Sequence, residues 1–191
     1  MCIFRYLCNK YGFEINGNIV MMKTKYFLLV ITLMLASQFT FAQGKNKVII
    51  DPELKQNVMI GYVDKEGLKT GEYGYYFNSQ YELYSISDKT ISKLKEKMGD
   101  VAVTIVLGTW CGDSKIQVPR FIKILDAINY PADHLNMIAV DARKEGLVVD
   151  IKPFDIERVP TFIFYRNGNE IGRIIETPKK SLEKDLMKII R

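Results

Sequence analysis

Five consecutive residues, Trp110-Cys111-Gly112-Asp113-Ser114, carry most of the chemistry this sequence offers. They follow an apolar, β-branched run, Val101 to Leu107 (VAVTIVL), and precede a helical pattern. Cys111 is therefore expected on the turn where a buried strand feeds a helix. At such a turn the unpaired N–H groups of the first helical turn and the positive end of the helix dipole converge, and both favour thiolate over thiol. Thiolate is the attacking form in disulfide exchange. Trp110 would shield one side of the sulfur and present a flat apolar surface to a peptide. Gly112, at the helix start, is expected with Ser114 to stabilise the thiolate; Ser114, one helical turn on, can donate a hydrogen bond to it but cannot attack a mixed disulfide. Asp113 acts in the opposite sense, because a negative charge beside the sulfur opposes ionisation even as it suits a helix N-terminus. A lone cysteine can also be a small buried apolar residue; the strand-to-helix position after a tryptophan favours the nucleophile.

The elements that would hold this site can be read from periodicity. The run 101–107 has the composition of a central strand covered on both faces. A helix is expected from Gly112 to about Asn129, with Val118, Phe121, Ile122, Leu125 and Ile128 on one face and Pro119 inside it. Leu135 to Val140 reads as a second strand. Thr161 to Tyr165 and Glu170 to Ile175 read as two more, joined at Asn167-Gly168, a hairpin signal. Thr177-Pro178 has the form of a cap and first turn for a last helix that faces Leu182, Leu186, Ile189 and Ile190 inward. Upstream, Ser87 or Asp88 can cap a surface helix through Lys97. Met59 to Val63 and Tyr73 to Phe77 are short apolar or aromatic runs that could pair as strands or pack as an N-terminal elaboration. His134 precedes a strand parallel to 101–107, at the end opposite Cys111, and so is expected in a loop away from the sulfur.

Composition narrows the function classes. The chain has 191 residues, 48% hydrophobic and 26% charged, with a formal net charge of +5. Residues 1–42 contribute +3 of that, and the remaining +2 is spread over mixed Lys and Glu, which gives no reason to expect nucleic acid. No His, Cys or carboxylate cluster has metal-ligand spacing, and there is no phosphate loop or nucleotide fingerprint, so neither metal nor cofactor is expected. Residues 22–42 read as an export signal, with Lys23 and Lys25 ahead of the apolar run Tyr26 to Ala36 and small residues ending at Ala42. The run is shorter than the roughly 20 apolar residues of a membrane span, so no stable insertion is expected after cleavage. Residues 1–21 read as an upstream extension. Cys2 and Cys8 fall within it, which leaves Cys111 as the one thiol of the mature chain. The expected location is periplasmic or extracellular, where an unpaired thiol is unusual.

The arrangement from Val101 to Arg191 resembles the thioredoxin family. The family's Trp-Cys-Gly-Pro-Cys loop stands here as Trp110 to Ser114, Pro119 lies at the place of its helix-kinking proline, and Val159-Pro160-Thr161 matches the loop whose proline is cis and lies against the reactive sulfur. Asn167-Gly168 matches the hairpin before its last strand. The resemblance implies an α/β thioredoxin fold, a central mixed sheet flanked by helices, at 101–191, with residues 43–100 as an N-terminal extension packed on it. It implies Cys111 as the nucleophile and Val159, Pro160 and Thr161 as one lip of a substrate groove, with Trp110, Gly112 and Asp113 as the other. Two departures matter. Ser114 replaces the resolving cysteine, and Ile105 replaces the buried aspartate that assists resolution.

These features lead to two readings. In the first, Cys111 exchanges disulfides with exported proteins or peptides as a monothiol, and an external thiol reductant releases the mixed disulfide. In the second, the same groove binds extended peptides without redox turnover.

Overall fold

The β-branched run at 101–107 becomes β3 (Val101–Leu107), in which every residue but Ala102 is buried. The computed structural model describes residues 44–191. The expected extension at 1–21 and signal at 22–42 lie outside the described residues. The other strands are β1 (Lys47–Ile50), β2 (Asn57–Tyr62), β4 (Leu135–Ala139), β5 (Thr161–Arg166) and β6 (Asn169–Ile175), arranged in the order β1-β2-β4-β3-β5-β6. β3 runs parallel to β4 and antiparallel to β5, so the sheet is mixed. Val103 stands opposite Leu135 and Leu107 opposite Ala139. β3 and β4 therefore finish side by side, and His134 lies at the end of the sheet away from Cys111.

Five α-helices, α1 (Lys65–Leu68), α2 (Gly71–Leu83), α3 (Asp88–Lys97), α4 (Gly112–Ala127) and α5 (Leu182–Ile189), and two short 3-10 turns, Ala132–His134 and Lys152–Phe154, complete the described chain. Phe121 of α4 meets Phe162 and Phe164 of β5, with ring centroids 4.7 and 5.9 Å apart. These rings, with Ile105 and Leu107, form the centre of the core. Pro119 removes the amide that would bond the Lys115 carbonyl in the middle of α4. The hairpin between β5 and β6 turns at Asn167 and Gly168, both with positive φ (52° and 79°), as a two-residue turn that matches strand twist requires.

The aromatic run at 73–77 is helical, which corrects the strand alternative. Tyr73 and Phe77 are four residues apart and buried, Tyr81 continues their stripe, and Tyr75 and Tyr76 between them are exposed. Gly74 is required here, because a Cβ would lie 2.1 Å from the Lys69 carbonyl oxygen. α2 lies along α4 and is bonded to it at both ends. Tyr73 reaches Ser114, Arg120 donates to Gln80 at 2.7 and 3.0 Å, and the Tyr81 hydroxyl donates to Asp126 at 2.5 Å. Residues 44–100 thus do more than pack on the fold. They extend its sheet by two strands, β2 pairing with β4, and share its main core.

The last helix also begins later than Thr177-Pro178 suggests. Ser181 is its N-cap and accepts from the Lys184 amide at 3.3 Å. The residues before it are held otherwise: Glu176 has a φ of 54°, its amide donates to the Pro160 carbonyl at 2.7 Å, and the Lys179 amide donates to Asp185. Leu182, Leu186 and Ile190 face inward as expected. On α3 the cap is Ser87, and Leu94, with Met98 just past the helix end, is fully buried, so this helix closes one end of the core.

Candidate functional site

Cys111 is the N-cap of α4, with extended φ and ψ of −78° and 130° and no side-chain capping bond. Its amide donates to Gly108 and its carbonyl accepts from Lys115, so the backbone on both sides of the sulfur is fixed. The side chain is partly exposed. Across from it the Val159–Pro160 peptide is cis, and the Cys111 thiol donates to the Val159 carbonyl oxygen at 3.1 Å. Trp110 and Cys111 pack with Val106, Val140 and Val159 in a small cluster apart from the main core, and Ile151 and Ile156 close its side. The fold thus joins two sequence segments 48 residues apart into one surface.

Trp110 is oriented by two contacts. Its indole N–H donates to the Val140 carbonyl at 3.0 Å, and its ring covers Gly108, where a Cβ would lie 2.7 Å from the indole. Gly112 is exposed and Asp113 half-buried in the first turn of α4.

Two expectations for side chains change. Ser114 is fully buried and its hydroxyl oxygen accepts from the Gly108 amide at 3.2 Å, so it faces the strand end and not the sulfur. Thr161 is also buried, and its hydroxyl donates to the Arg158 carbonyl at 2.7 Å, which closes the loop before the cis bond. It shapes the groove from beneath and offers no hydroxyl to a ligand. Ile105 is fully buried between Met137 and Phe162 on the neighbouring strands, so apolar side chains fill this part of the sheet.

Three further residues make contacts that the sequence does not announce. Thr109 accepts from the Met59 amide at 3.0 Å, which fixes β2 to the loop just before Trp110. Tyr73, buried on α2, donates to the Ser114 carbonyl at 2.8 Å. Burial holds its phenol well above the ordinary tyrosine range, and the nearby Cys111 sulfur adds to the effect. Asp51 accepts from the amides of Glu53, Leu54 and Ala142, each at 2.8 Å, and so joins the β1–β2 turn to the loop after β4. The one local signal for any of these was the tyrosine run itself. Among the described residues, no group of three or more His, Cys, Asp or Glu is placed to hold a metal ion.

A partly exposed thiol at a helix N-cap, facing a cis proline at the end of a mixed sheet, is the arrangement of a thioredoxin-fold protein. Comparison with known proteins gives the family: the Thioredoxin family matches residues 87–188, and the chain belongs to it. Thioredoxin H9 of Arabidopsis thaliana is 30% identical over 95 residues, covering 50% of this chain and 64% of that protein. The matched segment therefore spans less than two thirds of that relative. A thioredoxin of Malassezia sympodialis is 32% identical over 87 residues, covering 44% of this chain and 78% of that one. Mitochondrial thioredoxin 3 of Saccharomyces cerevisiae, in its oxidised form, is a similar solved structure, with 23% identity, a TM-score of 0.34, and coverage of 58% of this chain and 96% of that one. Thioredoxin-like proteins are generally thiol–disulfide redox proteins. Residues 44–86, which supply β1, β2 and α2, lie outside the family match.

Proposed function

We propose that this protein is an exported monothiol thiol–disulfide exchange protein, acting through Cys111 on disulfides of periplasmic or extracellular proteins and peptides. The observation that carries the reading is the pairing of a partly exposed sulfur at the α4 N-cap with a buried serine one turn later. As thiolate, Cys111 attacks one sulfur of a substrate disulfide. A new S–S bond forms to Cys111, the substrate bond breaks, and the other substrate sulfur leaves as thiolate. Ser114 cannot carry out the second attack. An external thiol attacks the Cys111 sulfur and releases the second substrate thiolate; another external thiol then restores Cys111, and the two thiols leave as a disulfide having supplied both electrons.

The neighbouring residues fit such a cycle. In the thiol form Cys111 donates to the Val159 carbonyl; once ionised it has no proton to donate, and the carbonyl becomes free to accept from a substrate amide. Ionisation and substrate docking are coupled in this way. The expected signal at 22–42 supports export, and cleavage after Ala42 would give a mature N-terminus at Gln43.

The alternative is a peptide-binding module without redox turnover, favoured by the same Cys111–Val159 hydrogen bond, in which the thiol proton is engaged on the groove's own backbone, and by Asp113 beside it. The mature protein and Cys111→Ala, incubated with a disulfide-bonded peptide and analysed under non-reducing conditions, separate the two. The exchange reading expects a reducible adduct in the wild type alone and turnover that needs added thiol. No adduct, together with a thiol that alkylates with a midpoint at or above about 8.5, would leave only the binding module. Mass spectrometry of the N-terminus after secretory expression tests export, which an unprocessed chain would rule out.

A further inference from the structure

A cleft of about 1030 Å³ runs between β6 and α5. Six cationic side chains line it: Lys93 of α3, Lys179 and Lys180 from the bend before α5, Lys184 and Lys188 of α5, and Arg191. All six are exposed, and among the described residues none takes part in an ion pair. The carboxylates of the same wall are already engaged. Glu183 accepts from the Tyr84 hydroxyl at 2.9 Å, and Asp185 accepts from the Lys179 amide at 2.5 Å. Arg173, the remaining cation, is turned to Glu170 and to the carbonyls of Phe154 and Asp155.

This charge is concentrated and not a property of the whole surface. Residues 44–191 carry a net charge of only +2, the residues lining the cleft a net of +5, and all the others together −3. Lys180 lies just before α5, and Lys184 and Lys188 stand four apart on it, a spacing at which like charges on a helical face destabilise each other. An anionic occupant relieves that repulsion. Ile171, Ile175 and Met187 add apolar surface between the cations. β6 is also the last strand of the sheet, so its outer backbone edge can pair with an extended chain.

We propose that the cleft between β6 and α5 is a docking groove for an extended acidic segment of a partner polypeptide, with its carboxylates on the lysines and its apolar side chains against Ile171, Ile175 and Met187. The concave form favours a chain over a bilayer, which would meet only the cations on the rim. The groove runs toward the sulfur site: at its end Ile175 and Thr177 flank Glu176, whose amide donates to the Pro160 carbonyl. Docking here does not depend on Cys111 chemistry.

The test is fluorescence anisotropy of the full chain with a dye-labelled peptide alternating Glu and Val, beside a Lys and Val peptide of the same length and vesicles of phosphatidylglycerol. The wild type should bind the acidic peptide, less tightly as salt rises, and neither control. K180E/K184E/K188E should weaken binding by about tenfold or more, and the neutral K180Q/K184Q/K188Q by less. The neutral variant decides the matter if charge reversal disturbs folding, since it must still bind measurably more weakly than wild type. Cys111→Ala should bind as wild type does, which separates this result from that of the exchange reading. No binding of the acidic peptide, equal binding of the basic peptide, binding to vesicles alone, or affinity unchanged in both triple variants would each overturn the proposal.

Discussion

The Tyr73 hydroxyl donates to the Ser114 carbonyl oxygen at 2.8 Å, inside the fold. The bond ties α2, which lies outside the matched family segment, to the first turn of the helix that begins at Cys111. Tyr73→Phe keeps the ring that fills the core and removes one buried hydrogen bond. The expected loss is about 1 kcal/mol in unfolding free energy, the usual net value of such a bond, measured by urea denaturation with an unchanged slope. A variant as stable as the wild type would mean that the bond contributes nothing to holding α2 on α4.

Gly108 and Trp110 make a second testable contact. A Cβ at 108 would lie 2.7 Å from the indole, so Gly108→Ala must displace the ring. The chain contains a single tryptophan, and its emission therefore reports this site alone. A shift of the emission to longer wavelength is expected as the ring turns toward water and loses its bond to the Val140 carbonyl. Crowding of this kind should cost about 1–3 kcal/mol. Unchanged emission would show that the backbone yields in place of the ring.

What could be read from the sequence depended on how local its cause was. β3 and α4 follow from composition and period within their own residues, and the β5–β6 hairpin from Asn167 and Gly168, which accept positive φ. The run Tyr73 to Phe77 misled because aromatic residues favour strands when considered alone. Its four-residue spacing has meaning only with Tyr81 included and with α4 there to cover it. Thr177-Pro178 is a sound local start signal, but it lost to two amide bonds, one from Glu176 to Pro160 on another loop and one from Lys179 to Asp185 of the helix itself. The same holds within the site. Trp110 to Ser114 stood out as a contiguous motif, and Pro160 through the family resemblance. The contacts of Tyr73 and Thr109 join residues 41 and 50 positions apart, and no local pattern announces them.

Asp51 links folding to pH. Its carboxylate is held below the ordinary range chiefly by the Leu54 amide, with Ala142, Glu53 and the charge of Arg143 adding to the effect and burial opposing it. The unfolded carboxyl titrates near 3.9, to an order of magnitude in proton affinity, and the folded one lower. The stabilisation is therefore complete above the unfolded value and disappears as pH falls through the folded one. Asp51→Asn should lower the melting temperature at neutral pH and flatten its decline in acid. Parallel acid limbs in thermal melts of the two proteins would show that other carboxylates govern the transition.

Ser114→Cys tests the proposed exchange through one sulfur by supplying a second thiol. Ser114 is fully buried one turn from Cys111, and cysteine is close to serine in size, so the exchange should leave the fold intact. After Cys111 has attacked a substrate disulfide, the introduced thiol can attack the Cys111 sulfur. An internal disulfide forms, the mixed disulfide breaks, and the substrate leaves as thiolate without any external thiol. The reduced variant should accordingly complete one round of reduction where the wild type stops at the adduct, and a thiol titration should show the loss of two thiols, Cys111 and the introduced one. The round should be slow. The serine oxygen faces the Gly108 amide, so the new sulfur must rotate to reach its partner, and the buried Ile105 offers no carboxylate to take up its proton. A variant that still stalls at the mixed disulfide would show that the backbone at the start of α4, and not the residue at 114, prevents resolution.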